Sequence, residues 1–286
     1  MSPTRPTGRR PARAAPAGRS ADEPRPRTSL GQHYLFDPSI LDRIAGHALL
    51  RGDETVLEIG PGRGTLTRVL ARQARKVVAI EIDETLADLL SSEGLPANVE
   101  IVHGDATRMP LPDFDKVVAN LPYRISSEIT FRLLERRFEL GVLLYQREFA
   151  RRLVARPGTS EYSRLTVNAY YRAKCEIVDR IPPGAFRPRP RVHGAVVRIV
   201  PREKPPFAVD DERVFDALVR ACFSQRRKTL RNGVLSQWRL FAARREDVAA
   251  AVNDVPRSDE RAEDKTPEEL GQAANALARA LAKGAA

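Results

Sequence analysis

Cysteine is nearly absent from these 286 residues: Cys175 and Cys222 stand alone and far apart. That excludes a disulfide scaffold and a zinc site. Histidine is sparse too, and His33, His47, His103 and His193 are too scattered to form a metal cluster, so no metal is expected. No apolar run is long enough to span a bilayer, and the N-terminus holds no apolar stretch of the secretory kind. Neither membrane nor export is expected, and a reducing cytoplasm suits the two thiols.

Positive charge is abundant. Lys and Arg number 48 against 37 Asp and Glu, a net +11. Such a balance favours polyanionic partners through counterion release and steering. A solvated basic surface is the plainer account, so charge alone favours nucleic acid only modestly. Residues 1–29 are rich in Arg, Pro, Ala and Gly with almost no large apolar side chain, and read as a disordered basic arm. The rest is long enough for one large α/β unit, expected over 30–203, and a small helical C-terminal unit with its tail, 204–286.

From Asp37 the chain alternates between helix-like and strand-like segments. Asp37-Pro38 starts an amphipathic stretch to Leu50. Strands are expected at Val56–Ile59, Lys76–Glu81, Val99–His103, Phe114–Asn120 and Leu140–Gln146, with helices at Thr65–Ala74, Glu84–Ser92 and Ser126–Arg136. Lys174–Ile181 and Ala195–Pro201 add two strands around a proline-rich loop. This predicts an α/β, Rossmann-like fold with a mainly parallel seven-stranded sheet, whose ligands bind at the carboxyl ends of the strands. Two helices over Val214–Trp238 and a last one over Pro267–Ala282 belong to the C-terminal unit.

The first strand runs into Glu58-Ile59-Gly60-Pro61-Gly62-Arg63-Gly64. Glycines at a strand-to-helix turn let backbone approach a ligand closely. A dinucleotide fingerprint would place its third glycine at 65, where Thr65 stands; the third is Gly64 instead. That turn suits a carboxypropyl-sulfonium ligand better than a pyrophosphate. Glu81 ends the second strand, where a carboxylate accepts from ribose hydroxyls, and Asp105 follows the third, where one accepts from an adenine amine. A lone carboxylate at a strand end is usually a cap or a solvated charge. Successive strand ends bearing suitable groups predict an adenosine-bearing ligand; NAD and S-adenosylmethionine both present one, and the glycine spacing with the motif that follows favours S-adenosylmethionine.

Asn120-Leu121-Pro122-Tyr123 follows the fourth strand. It matches the [Asn/Asp]-x-Pro-[Tyr/Phe] pattern of methyltransferases that act on planar amines. An adenine N6 lone pair is delocalised into the ring and is a weak nucleophile. The Asn120 amide oxygen and the Leu121 carbonyl can each accept one N6 proton, drawing the nitrogen towards sp³. Pro122 stiffens the turn, and Tyr123 offers a π-face for a flipped base. Alone, this would read as an ordinary proline turn; after the glycine turn it reads as a reacting centre. Cytosine C5 chemistry needs a cysteine nucleophile, usually after proline, yet Cys175 follows Lys174 and Cys222 follows Ala221. The carboxylate cluster of a metal-dependent catechol enzyme is not evident.

Together these motifs resemble those of the KsgA-type ribosomal RNA adenine dimethyltransferases, particularly their archaeal and eukaryotic branch, from about Leu30 to Gln237. Gly31-Gln32-His33-Tyr34-Leu35 resembles the family's opening motif, and the resemblance implies that Gln32, His33 and Leu35 line the cofactor pocket. It assigns Gly60, Gly62 and Gly64 to the first motif, Glu81 and Ile82 to the second, and Asp105 and Ala106 to the adenine-contacting step. Asn120 serves both cofactor and catalysis. In Phe186-Arg187-Pro188-Arg189-Pro190-Arg191-Val192 the resemblance places Phe186 near the target base as a second stacking face. The implied substrate is a pair of adjacent adenosines near the 3′ end of small-subunit rRNA, in an assembly intermediate, each becoming N6,N6-dimethyladenosine. A role in ribosome biogenesis follows, and a monomer is expected.

Arg226, Arg227, Lys228 and Arg231 are expected to begin a helix that meets RNA, and Arg187, Arg189 and Arg191 to meet it beside Phe186. For Arg151 and Arg152, ion pairs with Glu148 are an equal alternative. Three other functions stay in play: an Erm-type large-subunit rRNA methyltransferase, an assembly factor that binds RNA and cofactor without methylating, and a dehydrogenase.

Overall fold

The computed structural model describes residues 33–284. The basic arm at 1–29 and Gln32 lie outside the described residues.

The main sheet has seven strands. Five are parallel and adjacent in the order β4 (Val99–His103), β3 (Lys76–Glu81), β2 (Thr55–Ile59), β5 (Lys116–Asn120) and β6 (Leu140–Gln146). β9 (Gly194–Pro201) pairs antiparallel with β6, and β7 (Ala173–Ile181) pairs antiparallel with β9 at the edge. Central strands covered on both faces read as unbroken apolar runs. Accordingly β2 is buried along its whole length, whereas the edge strand β4 is half exposed.

Helices α1 (Pro38–His47), α2 (Thr65–Ala71), α3 (Glu84–Ser92), α4 (Ser126–Leu134), α5 (Arg147–Leu153) and α6 (Arg164–Arg172) accompany the sheet. Asp37 caps α1 by accepting from Ser39 N at 3.0 Å, and Asp83 caps α3 through Thr85 N at 3.1 Å. α2 stops at Ala71, three residues short of its expected end. α6 lacks a sequence signal of comparable strength. It is fastened by Thr166, whose hydroxyl accepts from Ser163 N at 3.0 Å and donates to Arg152 O at 2.6 Å.

One pairing has no counterpart in the sequence pattern. β1 (Tyr34–Leu35) and β8 (Phe186–Arg187) form a short antiparallel ribbon across 150 residues of chain.

Two buried clusters cover the two faces of the sheet, and a third lies among α7 (Glu212–Ser224), α8 (Leu230–Ser236), α9 (Arg245–Asn253) and α10 (Pro267–Gly284). The third also takes in Tyr162, Val167 and Tyr171, so this helical core reaches back before residue 204. Tyr162 Oη donates to Lys265 O at 2.9 Å across that junction.

Below the sheet, Lys116 Nζ donates to Glu54 at 2.7 Å and to Leu49 O at 2.7 Å, with both charged side chains almost fully buried. Burial pushes the Glu54 carboxyl up, but Lys116, the N–H of Arg51 and the Arg51 charge outweigh it and bring it to about 2. A buried pair of this kind holds only because its hydrogen bonds are complete.

Candidate active site

The carboxyl ends of the parallel strands open into a cavity of ≈ 340 Å³. Gly60 and Gly62 from the turn after β2, Glu81 and Ile82 from β3, and Asp105 and Ala106 after β4 line it. Asn120, Leu121, Pro122 and Tyr123 after β5 close its far wall, and His33 and Tyr34 lie over it. Four strand ends and the N-terminal ribbon thus converge on one space.

The glycines are required for shape. Gly60 has φ +71°, and an added Cβ would stand 3.3 Å from the Pro122 ring. Gly62 has φ +58°, and its Cβ would meet the Tyr34 ring at 2.6 Å, closer than van der Waals contact permits. Gly64 does not line the cavity; with φ +69° it caps α2, and a Cβ there would strike Leu90 at 2.7 Å.

The carboxylates differ in state. Glu81 accepts from Gly62 N and from Asp83 N, both at 3.0 Å, which fixes its plane. Burial nevertheless pushes its carboxyl above the ordinary range. Asp105 is held low chiefly by the Thr107 hydroxyl, which donates to it at 2.7 Å. Glu58 sits beneath the glycine turn, 1% exposed, and its Oε2 has no hydrogen-bond partner among the described residues. Burial pushes the Glu58 carboxyl up to about 8; the neighbouring Thr67 hydroxyl opposes this and the nearby Glu81 charge adds to it. The motif contained Glu58, but its burial depends on neighbours that only folding supplies.

Asn120 Nδ2 donates to His33 O at 2.9 Å, and the His33 ring Nδ1 lies 2.7 Å from Pro188 O. The amide oxygen of Asn120 is therefore turned away from the His33 carbonyl. Tyr123 stacks obliquely against His33, ring centroids 5.3 Å apart, and its hydroxyl is buried without a partner among the described residues. Burial raises that hydroxyl to about 12.

Several expected site residues are placed elsewhere. Phe186 is 1% exposed and packs in the core with its ring 3.4 Å from where a Gly194 Cβ would stand, so it is not a stacking face of the cavity. Leu35 pairs with it and faces the same core; only its carbonyl is used, accepting from the Thr65 hydroxyl at 2.9 Å. The pleat of the ribbon sends both side chains inward. The cationic run 226–229 forms the turn between α7 and α8, and the helix starts at Leu230. Arg226 is tied into the helical lobe through Ser160 O, Thr159 O and Glu263, and Arg231 donates to Asn253. Arg227, Lys228, Arg187, Arg189 and Arg191 are exposed. Among the described residues no group of His, Cys, Asp and Glu is placed to hold a metal, and no helix is long and apolar enough to cross a membrane.

A parallel sheet of this order, with a glycine turn and strand-end carboxylates around one cavity, defines the class of Rossmann-like S-adenosylmethionine-dependent methyltransferases. Within it, residues 24–268 match the family model "Ribosomal RNA adenine dimethylase", and the chain belongs to that family. Among its relatives, the probable ribosomal RNA small subunit methyltransferase A of Methanosarcina mazei is 50% identical over 86% of this chain and 91% of the relative. That of Methanothermobacter thermautotrophicus is 52% identical over 71% and 72%. A dimethyladenosine transferase from Plasmodium falciparum superposes with TM-score 0.70 at 30% identity, covering 84% of this chain and 96% of that one. The 23S rRNA methyltransferase ErmE superposes with TM-score 0.59, also at 30% identity, covering 86% and 99%.

Proposed function

We propose that this protein transfers methyl groups from S-adenosylmethionine to the N6 amines of two adjacent adenosines near the 3′ end of small-subunit rRNA, within an assembly intermediate. The position of Asn120 carries the reading: its amide oxygen is presented at a strand end, in the same cavity as Glu81 and Asp105.

The lining fits the cofactor. Glu81 can take ribose hydroxyls on its remaining lone pairs, Asp105 an adenine amine, and exposed Ile82 an adenine face. The glycine turn leaves room for the methionine end. The bound cofactor supplies a methyl group on a positively charged sulfur.

Asn120 Oδ1 and the Leu121 carbonyl accept the two N6 protons of the target base, localising the lone pair. Tyr123 covers one face of that base, and its buried setting keeps the hydroxyl neutral at working pH. The proton leaves only after methylation, so no strong base is needed. Alignment of donor and acceptor in a dry pocket supplies most of the rate.

The names of the curated relatives and the closer superposition on the dimethyladenosine transferase favour the small subunit over the large one. In the experiment, small-subunit rRNA lacking the modification is incubated with protein and cofactor and its adenosines are read by mass spectrometry. Two adjacent dimethyladenosines are expected. Large-subunit rRNA is treated in parallel, and methylation confined to it would reject the choice. Asn120→Ala is expected to lower turnover by about a hundredfold to a thousandfold, on the scale of removing one preorganised transition-state contact, with cofactor still bound.

A further inference from the structure

The ribbon of β1 and β8 has two unlike faces. Leu35 and Phe186 pair and are buried, at 2% and 1% exposure. Tyr34 pairs with Arg187, which puts both on the opposite face. Phe36 extends that outer face: its N–H donates to Ala185 O at 3.3 Å, and its ring lies under the Arg187 guanidinium, 4.3 Å from ring centroid to carbon. Phe36 is 40% exposed.

A single exposed phenylalanine is unremarkable on a protein surface. Phe36 differs in its neighbours. Tyr34, two residues away on the same face, lines the catalytic cavity, and Arg63 lies over its ring at 5.6 Å. Two aromatic rings, each with a guanidinium, thus stand two residues apart on one face of the ribbon, and the first of them lines the cavity. The ribbon is also fastened to the reacting centre, because His33 holds the Asn120 amide through its carbonyl and meets Pro188 O through its ring.

We propose that Phe36 and Arg187 form a stacking platform for a nucleotide that flanks the target adenosine. The inference rests on the RNA-methylating reading. Bases of any identity stack on an aromatic face, and an adjacent cation strengthens the contact. Arg187 is exposed, so it can exchange the ring for a phosphate without leaving water. A base stacked here sits at a fixed offset from Asn120, which sets the register of the neighbouring adenosine in the cavity.

The test measures binding of the full chain to a transcript of the small-subunit rRNA 3′ segment, intact or with one abasic nucleotide next to either target adenosine. Phe36→Ala is expected to weaken binding of intact RNA about tenfold, with cofactor affinity and melting temperature unchanged, and Phe36→Trp to restore it. At one abasic position wild-type binding should fall by a similar factor, with Phe36→Ala adding nothing further. Unchanged RNA affinity in Phe36→Ala would overturn the platform, as would additive losses at every abasic position. If wild-type protein neither binds nor methylates the transcript, the functional reading itself fails, and the platform with it.

Discussion

Glu58 shows how much one residue's state depends on its surroundings. Its folded carboxyl titrates near 8 because burial opposes charge, against about 4.5 for a solvated glutamate. A carboxyl whose folded value is raised binds more protons in the fold than in the unfolded chain. The part of the stability linked to Glu58 is therefore fullest below about pH 4.5 and declines as pH rises towards about 8. Cofactor-free Glu58→Gln is expected to melt several degrees higher than wild type at pH 8 and to differ little at pH 4.5, as measured by calorimetry. An equal shift at both values would show that Glu58 is not protonated in the fold.

At the scale of elements, the glycine turn and the sheet floor make opposite demands. The turn holds Gly62 at φ +58° under the Tyr34 ring. Gly62→Ala adds backbone strain of about 1–2 kcal/mol and a clash that only movement of the N-terminal ribbon relieves. A melting point lower by a few degrees and cofactor affinity down at least about tenfold are expected, measured by calorimetry and titration. The floor depends on the Glu54–Lys116 pair. The Glu54 carboxyl is depressed to about 2, so its contribution is present above about pH 4.5 and is lost as pH falls towards about 2. Acid titration of wild type should show that loss. Lys116→Met strands a buried carboxylate and should cost about 3–5 kcal/mol at pH 7 in denaturant unfolding.

For the whole molecule, a net charge of +11 predicts salt-sensitive RNA binding. The fold decides which cations contribute. Arg226 is engaged with Glu263, whereas Arg227 and Lys228 are exposed in the α7–α8 turn. Replacing Arg227 and Lys228 together by alanine is expected to reduce the slope of log K against log salt by about 1.5, through two fewer phosphate contacts. An unchanged slope would place the RNA on another face.

The local chemistry of this protein was legible in its sequence because it is written in short contiguous runs. Glycine spacing after β2, carboxylates at the ends of β3 and β4, and the Asn120–Tyr123 turn each occupy a few residues, and strand alternation says they share one edge of a sheet. The burial of Phe186 is not legible there for the converse reason. A strand alternates its faces, and which face looks inward is decided by a partner, here Leu35, some 150 residues away. The same holds for Arg226, whose partners come from other segments of chain, and for α6, which two cores share. The sequence by itself determined the order of the seven main strands and the identity of the reacting groups, since local propensity and covalent spacing suffice for those. Tertiary structure alone decided which rings are buried, which cations are paired and how Glu58 is protonated, because burial and long-range contact are properties of the packed chain.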